Sequence, residues 1–282
     1  MKKISFFAVL LCFALFACKQ SAKVDGTANE SADTLAAATE QVVAQVYLVG
    51  TMSDNECQIE LALQNDGFYN CAGYVLYPES EPMLVVGIWD EYFGDDGDDI
   101  YHNIQLTEYQ ADGTVSGRFL IHLRQADGAD EFTFDDAERT YIQIDEDDQT
   151  APIIDVTCST EMPEWFPESP FIAATYDDIS TLYAYYLRGP DAYGEVQIEK
   201  LGDGKLKFIA DESREDYTAA TIISEDGRPA QLDGNVFNYE KANACDYTLS
   251  ARFYKSFVVL TTHQAPSEET NCSYINAAFV KR

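Results

Sequence analysis

Between Val46 and Thr150 the chain has no lysine, and its only bases are Arg118, Arg124 and Arg139, against 24 acidic residues. Cations are scarce throughout: 18 Lys and Arg stand against 49 Asp and Glu, a formal charge of −31. No basic cluster could neutralise phosphates, which excludes nucleic acid as a partner. Direct docking of the polypeptide on an anionic membrane is excluded on the same ground. Histidine is rarer still, with His102, His122 and His263 alone. None stands in an H-x-x-x-H pair or near clustered cysteines, and no G-x-S-x-G elbow occurs, so neither zinc nor an activated nucleophile is indicated. No cysteines have CxxC spacing. No apolar run reaches the about 20 residues of a membrane-spanning helix. With no catalytic constellation to name, the expectation is a protein that is not an enzyme.

The chain does carry a leader. Lys2 and Lys3 precede an apolar stretch from Ile4 to Phe16, which ends in Leu15-Phe16-Ala17-Cys18. A basic start, a short apolar core and a small residue before the cut make a secretory signal. The cysteine after the cut resembles the lipobox of bacterial lipoproteins. That resemblance implies a signal peptide over 1–17 and lipid attachment at Cys18, so that the membrane is reached through acyl chains. Several chains on one residue exceed the two-signal threshold for stable anchoring. By resemblance to enterobacterial sorting, Lys19 favours the outer membrane of the cell envelope. The acidic run that marks surface export in Bacteroidota is missing, with no acid before Asp25. The periplasmic and external faces therefore both stay open.

Residues 18–44 are rich in Ala, Ser, Thr and Glu without an apolar period, and read as a flexible tether. An acidic β module follows over 45–150, then a linker over 151–170 marked by Pro152, Pro163, Pro167 and Pro170, then a C-terminal β module over 171–282. In the first module Cys57, Ile59, Leu61 and Leu63 alternate with Gln58, Glu60 and Ala62, the period of a half-buried strand. Gln64-Asn65-Asp66-Gly67 is turn chemistry. Strands are expected over Val46–Val49, Cys71–Tyr77, Met83–Trp89, Ile104–Tyr109, Thr114–Leu123 and Tyr141–Ile144. In the second module a glycine bulge near Gly202-Asp203-Gly204 would set Ile198 opposite Phe208 and keep the apolar faces together. Short strands at regular spacing with Gly, Asn and Asp turns make the fold all-β, two antiparallel β-barrel or β-sandwich modules after the tether. Trp165 and Phe166, in the linker, are expected to pack against a module.

Once Cys12 leaves with the leader and Cys18 is acylated, five cysteines remain in an oxidising compartment. More than one connectivity is open to them. Pairing within modules selects the disulfides Cys57–Cys71 and Cys245–Cys272 and leaves Cys158 odd. The densest acidic stretch runs from Trp89 to Asp99. Asp90, Asp95, Asp96, Asp98 and Asp99 are candidate ligands for Ca²⁺, although the EF-hand order is not met. Trp89 and Tyr92 are candidate platforms for a glycan. A plain solvated loop is the alternative to both, and no other cofactor is expected.

Three segments carry a family resemblance: Gly73-Tyr74-Val75-Leu76-Tyr77, Leu106-Thr107-Glu108, and Gly113-Thr114-Val115-Ser116-Gly117-Arg118-Phe119. They resemble a module of two-module β lipoproteins of Bacteroidota, a family with no activity attached. The ending Phe257-Val258-Val259-Leu260, then Asn271-Cys272 and Asn276 to Lys281, is similar to a C-terminal module of such envelope proteins. The expectation is a non-enzymatic, lipid-anchored envelope protein with a binding or accessory role. Beside it stand an inhibitor of a basic wall hydrolase such as lysozyme, hence a basic protein partner, and a glycan-binding surface lipoprotein. Against the inhibitor, Ser116-Gly117-Arg118-Phe119 ends in Phe where one lysozyme-inhibitor signature has Tyr.

Overall fold

Alternating side chains in the first half close a barrel. The computed structural model describes residues 42–94, 99–142, 148–187, 192–212, 220–223, 230–241, 247–264 and 277–282. Cys18, most of the tether, Asp95, Asp96, Asp98, Cys245 and Cys272 lie outside the described residues. Eight strands run antiparallel, each beside its successor: β1 (Ala44–Met52), β2 (Gln58–Asn65), β3 (Asn70–Leu76), β4 (Met83–Phe93), β5 (Asp99–Tyr109), β6 (Val115–Ala126), β7 (Thr133–Tyr141) and β8 (Gln149–Ser159). β8 returns to β1, with Cys158 opposite Leu48 and Thr157 opposite Val49, which closes the ring.

Every second residue points inward. Val46, Leu48 and Met52 from β1 meet Ile59, Leu61 and Leu63 from β2, Val85 and Trp89 from β4, Ile104 and Leu106 from β5, and Phe119, Ile121 and Leu123 from β6. An eight-stranded barrel is just wide enough for its own side chains to fill. Each large side chain moved from water into this interior contributes about 1.5–3 kcal/mol. The outer wall is different in kind. Arg118, His122, Asp136 and Glu138 line it along β6 and β7, where a lipid-facing barrel would need an apolar band.

The first barrel extends further than its composition suggests. Residues 151–159, the first part of the expected proline-marked linker, belong instead to β8. A register shift between Val49 and Thr51 faces Asp155, which has φ 54°. Such a bulge inserts one unpaired residue into a strand. The arms of β4 and β5 reach Phe93 and Asp99, so the strand expected over Met83–Trp89 continues through Asp90 to Phe93. The true connection runs over residues 160–181. In it Trp165 and Phe166 pack on the outside of the first barrel, as expected. Trp165 Nε1 donates to Glu60 Oε2 at 2.6 Å and its ring meets Tyr47 edge-on, and Phe166 meets Tyr74 edge-on.

The second half contributes β9 (Leu182–Leu187), β10 (Ala192–Gly202), β11 (Lys205–Glu212), β12 (Ala220–Ile223), β13 (Ala230–Asp233), β14 (Val236–Lys241), β15 (Tyr247–Phe253), β16 (Phe257–Gln264) and β17 (Ala277–Lys281). The sheet order is β10-β9-β17-β16-β15-β14-β13-β11-β12, and the β10–β11 hairpin joins its ends. The result is a nearly closed eight-stranded barrel with β12 added on β11. Ile198 stands opposite Phe208, as the bulge requires. The extra residue is Leu201, and Asp203 and Gly204, both with positive φ (53° and 73°), make a two-residue turn. Rings fill this core: Phe208 against Phe237 at 4.9 Å, Tyr185 against Phe279 at 5.3 Å, Tyr183 against Phe253 at 5.9 Å.

The core of the second barrel continues onto the outside of the first, where Ala72, Val86, Tyr109 and Val115 are buried with it. Tyr109 Oη donates to Ala278 O at 3.3 Å, and Tyr186 N donates to Gly113 O at 3.1 Å. Tyr254 Oη donates to Asp66 Oδ2 at 2.9 Å, a buried bond between residues 188 apart in the chain. Residues 37–282 accordingly form one unit.

Candidate binding surface at one end of the first barrel

The lumen of the first barrel holds two polar groups of side chains, one near each end. At the end where β5 meets β6, Arg139 lies across Glu108, donating from Nε to Oε2 at 3.2 Å and from Nη2 to Oε1 at 3.0 Å. Tyr77 Oη donates to the same carboxylate at 2.5 Å, and Ser116 Oγ donates to Oε1. The guanidinium lies 4.2 Å from the centre of the Tyr141 ring, with Phe119 and Tyr77 also beside it. Gly117 makes the space, because a Cβ there would come within 2.8 Å of Nη2. Burial, then the Glu108 charge, pushes the Tyr77 phenol well above its ordinary value. Tyr77, Glu108, Gly117 and Phe119 are four of the residues that carry the family resemblance. Their convergence is that of a buried, fully paired ion pair. Arg139, the residue they surround, carries no sequence signal beyond being one of three bases in the module.

At the other end Trp89 Nε1 donates to His102 Nδ1 at 3.0 Å, and Phe132 packs edge-on against His102. The imidazole therefore carries its proton on Nε2, which is buried and has no hydrogen-bond partner among the described residues. Glu91 Oε1 lies 3.5 Å from Nδ1. Burial lowers the His102 pKa from its ordinary 6.5, and the Glu91 charge offsets only part of this. A lowered histidine supports the fold above the unfolded value and loses that support as pH falls below about 6.5. Protonation would also take Nδ1 away from Trp89. His102→Asn should thus abolish part of the acid sensitivity. Denaturation midpoints at pH 7 and pH 5 should fall further apart in the wild type than in the variant, relative to the shared response of the carboxylates. An identical pH response would show that His102 titrates normally.

The same end carries the surface features. In the loop between β2 and β3, Asn65 Oδ1 accepts from Gly67 N at 2.6 Å, and buried Asp66 accepts from Phe68 N, Asn70 N, Asn70 Nδ2 and Tyr254 Oη. This lattice holds Phe68 and Tyr69 outward, and Tyr69 is 68 % exposed at φ 66°. An aromatic residue in the left-handed region is strained by of order 1–3 kcal/mol and persists only where its surroundings enforce it. Tyr69 O accepts from Trp89 N, which joins the loop to β4. Along β4, Ile88, Tyr92 and Phe93 are exposed, Phe93 at 72 %. Tyr92 stacks on Tyr101 of β5, at 5.5 Å and 14°.

The sequence-based sites are redistributed by this geometry. Trp89 is fully buried, so it offers no face to a sugar, and only Tyr92 of that pair reaches solvent. Of the calcium candidates, Asp90 stands opposite Asn103, whereas Asp99 begins β5 and lies 3.7 Å from Arg124. Four residues of strand separate their rows, roughly 13 Å, too far to share an ion. No group of three or more His, Cys, Asp or Glu that could hold a metal occurs among the described residues.

The Cys57–Cys71 bridge is also corrected. Cys71 is buried opposite Asn65, at the far end of β2 from Cys57, and both thiols are free. The eight intervening steps are roughly 27 Å of strand, against the about 7 Å that a disulfide spans between Cα atoms. Cys158 is free, across from Leu48. Comparison of the chain with protein-family models, with curated proteins and with solved structures finds no match in any of the three.

Proposed function

We propose that the chain is a non-enzymatic, lipid-anchored protein of the cell envelope that binds a partner at the end of its first barrel where Tyr69, Tyr92 and Phe93 are exposed. The Asn65–Asn70 loop carries this reading. A buried carboxylate is committed to holding two aromatic residues in solvent, one of them against its backbone preference. Strain maintained at a surface loop is a common property of binding sites. The packed lumen supports the same conclusion, since its own side chains occupy the space a small ligand would need. Anchorage is supported by the lipobox at Cys18 and by the resemblance to Bacteroidota lipoproteins. In this reading the acyl chains hold the body at the membrane and the barrel surface meets its partner outside the bilayer.

Anchorage is tested by metabolic labelling with a fatty acid and detergent phase partitioning. The wild type should be labelled and enter the detergent phase. Cys18→Ser should be unlabelled and either aqueous or held as the unprocessed precursor. An unlabelled Cys18→Ser protein that is cleaved and still partitions into detergent would rule out the lipid.

A further inference from the structure

Resting on the binding role just described, we infer that the partner is a cationic protein segment, with arginine or lysine side chains seated against Tyr69, Tyr92 and Phe93. Single exposed apolar residues are ordinary on any protein. Here Phe68, Tyr69, Ile88, Tyr92 and Phe93 are exposed at one end of one barrel, on a loop and a strand joined by the Trp89 N to Tyr69 O bond. On the same strand Asp90 shares the face of Ile88 and Tyr92, and Glu91 that of Phe93.

Charge selects among occupants. The first barrel's few bases do little to soften its field. Arg139 is buried on Glu108, and Arg124 faces Asp99 and Asp135 at 3.7 and 3.5 Å. A surface this acidic repels phosphates and anionic lipid, and attracts basic partners and speeds their encounter. Aromatic faces rimmed by carboxylates suit a guanidinium in particular, since the ring attracts the cation and the carboxylate pairs with its N–H groups. The molecule makes a cation–ring contact of its own at this end. Arg252 of the second barrel lies 4.4 Å from the centre of the Phe68 ring, on the same loop as Tyr69. The inferred contacts repeat that chemistry on the neighbouring rings with a cation from another chain.

The test uses the full chain in non-ionic detergent and three fluorescent ten-residue peptides, alternating Arg-Gly, Ser-Gly and Glu-Gly, with anisotropy read at physiological salt. The Arg-Gly peptide should bind, and the other two should not. Replacing Tyr69, Tyr92 and Phe93 together by alanine leaves the net charge unchanged and should weaken binding at least tenfold. Asp90→Asn with Glu91→Gln should weaken it too, and more steeply at low salt. Equal binding by the triple variant would overturn the proposal, because diffuse attraction to an acidic protein needs no aromatic rings. Absence of Arg-Gly binding would overturn it as well. A glycan array run in parallel separates the two levels. A glycan signal lost in the triple variant, without peptide binding, refutes the cationic partner and leaves the binding surface standing. If no signal of either kind depends on the three rings, both fall.

Discussion

Replacing Arg139 by methionine is expected to destabilise the first barrel by about 3 to 5 kcal/mol, because it leaves a buried carboxylate without its counter-ion. Glu108 is 1 % exposed and its ion-pair partner in the lumen is Arg139. Tyr77 and Ser116 would remain as donors, but neither carries charge. Replacing both partners, Glu108→Leu with Arg139→Met, should recover most of the loss, since an apolar pair has no desolvation penalty to offset. Tyr77→Phe should cost roughly 1.5 to 3 kcal/mol, the range for a hydrogen bond to a charged group. Guanidinium denaturation of the three variants checks the series. A loss below about 1 kcal/mol for Arg139→Met would mean that water reaches the carboxylate, as it does in exposed pairs.

The second large effect is expected at Gly87. A Cβ there would lie 1.8 Å from Gln105 O, and at Gly73 it would lie 2.0 Å from Ala62 O. Both obstacles are backbone of a paired strand, so no side chain can turn aside. Gly87→Ala must spread β4 from β5 and should destabilise by about 3 kcal/mol or more, the upper range for overpacking. At this size that is roughly 6 to 12 °C in melting temperature. Gly128→Ala is the control. Its φ is 75° but nothing lies within 4 Å of the added carbon, so only backbone strain is felt, about 1 to 2 kcal/mol. Similar losses at the two positions would show that β4 and β5 are not pressed together as described.

Gly87 also illustrates what sequence alone could convey. Alternation along Cys57–Leu63 and the Ile198–Phe208 register were legible because they depend on neighbours a few residues away. β7 was not, because its outward side chains Asp135, Asp136 and Glu138 and its inward Arg139 erase the apolar half of the period. β8 was hidden by Pro152, since proline is rare inside strands. Asp66 reads as turn chemistry, which it is, but its link to Tyr254 depends on a residue 188 positions away. Trp89 lies on the strand expected for it, but its exposure as a glycan platform fails for a related reason. The acids that follow it suggest a loop, and only the inward phase of β4 sets its ring in the lumen. The aromatic surface was partly visible through Tyr92, whereas Tyr69 gains its meaning from a backbone angle that composition does not reveal.

The chain's two tryptophans, Trp89 in the lumen and Trp165 on the outer wall, both belong to the first barrel. Tryptophan emission, excited selectively over tyrosine, therefore follows the melting of that half alone, whereas far-ultraviolet dichroism follows both. The barrels share a core, so the two signals should coincide in the wild type. Tyr254→Phe, which removes the bond to Asp66, is where they would begin to separate. Trp89 should itself darken on acidification, as the imidazole that accepts its N–H becomes a cation and a quencher. One spectrum thus carries the interior protonation state at one wavelength and the fate of the outer wall at another.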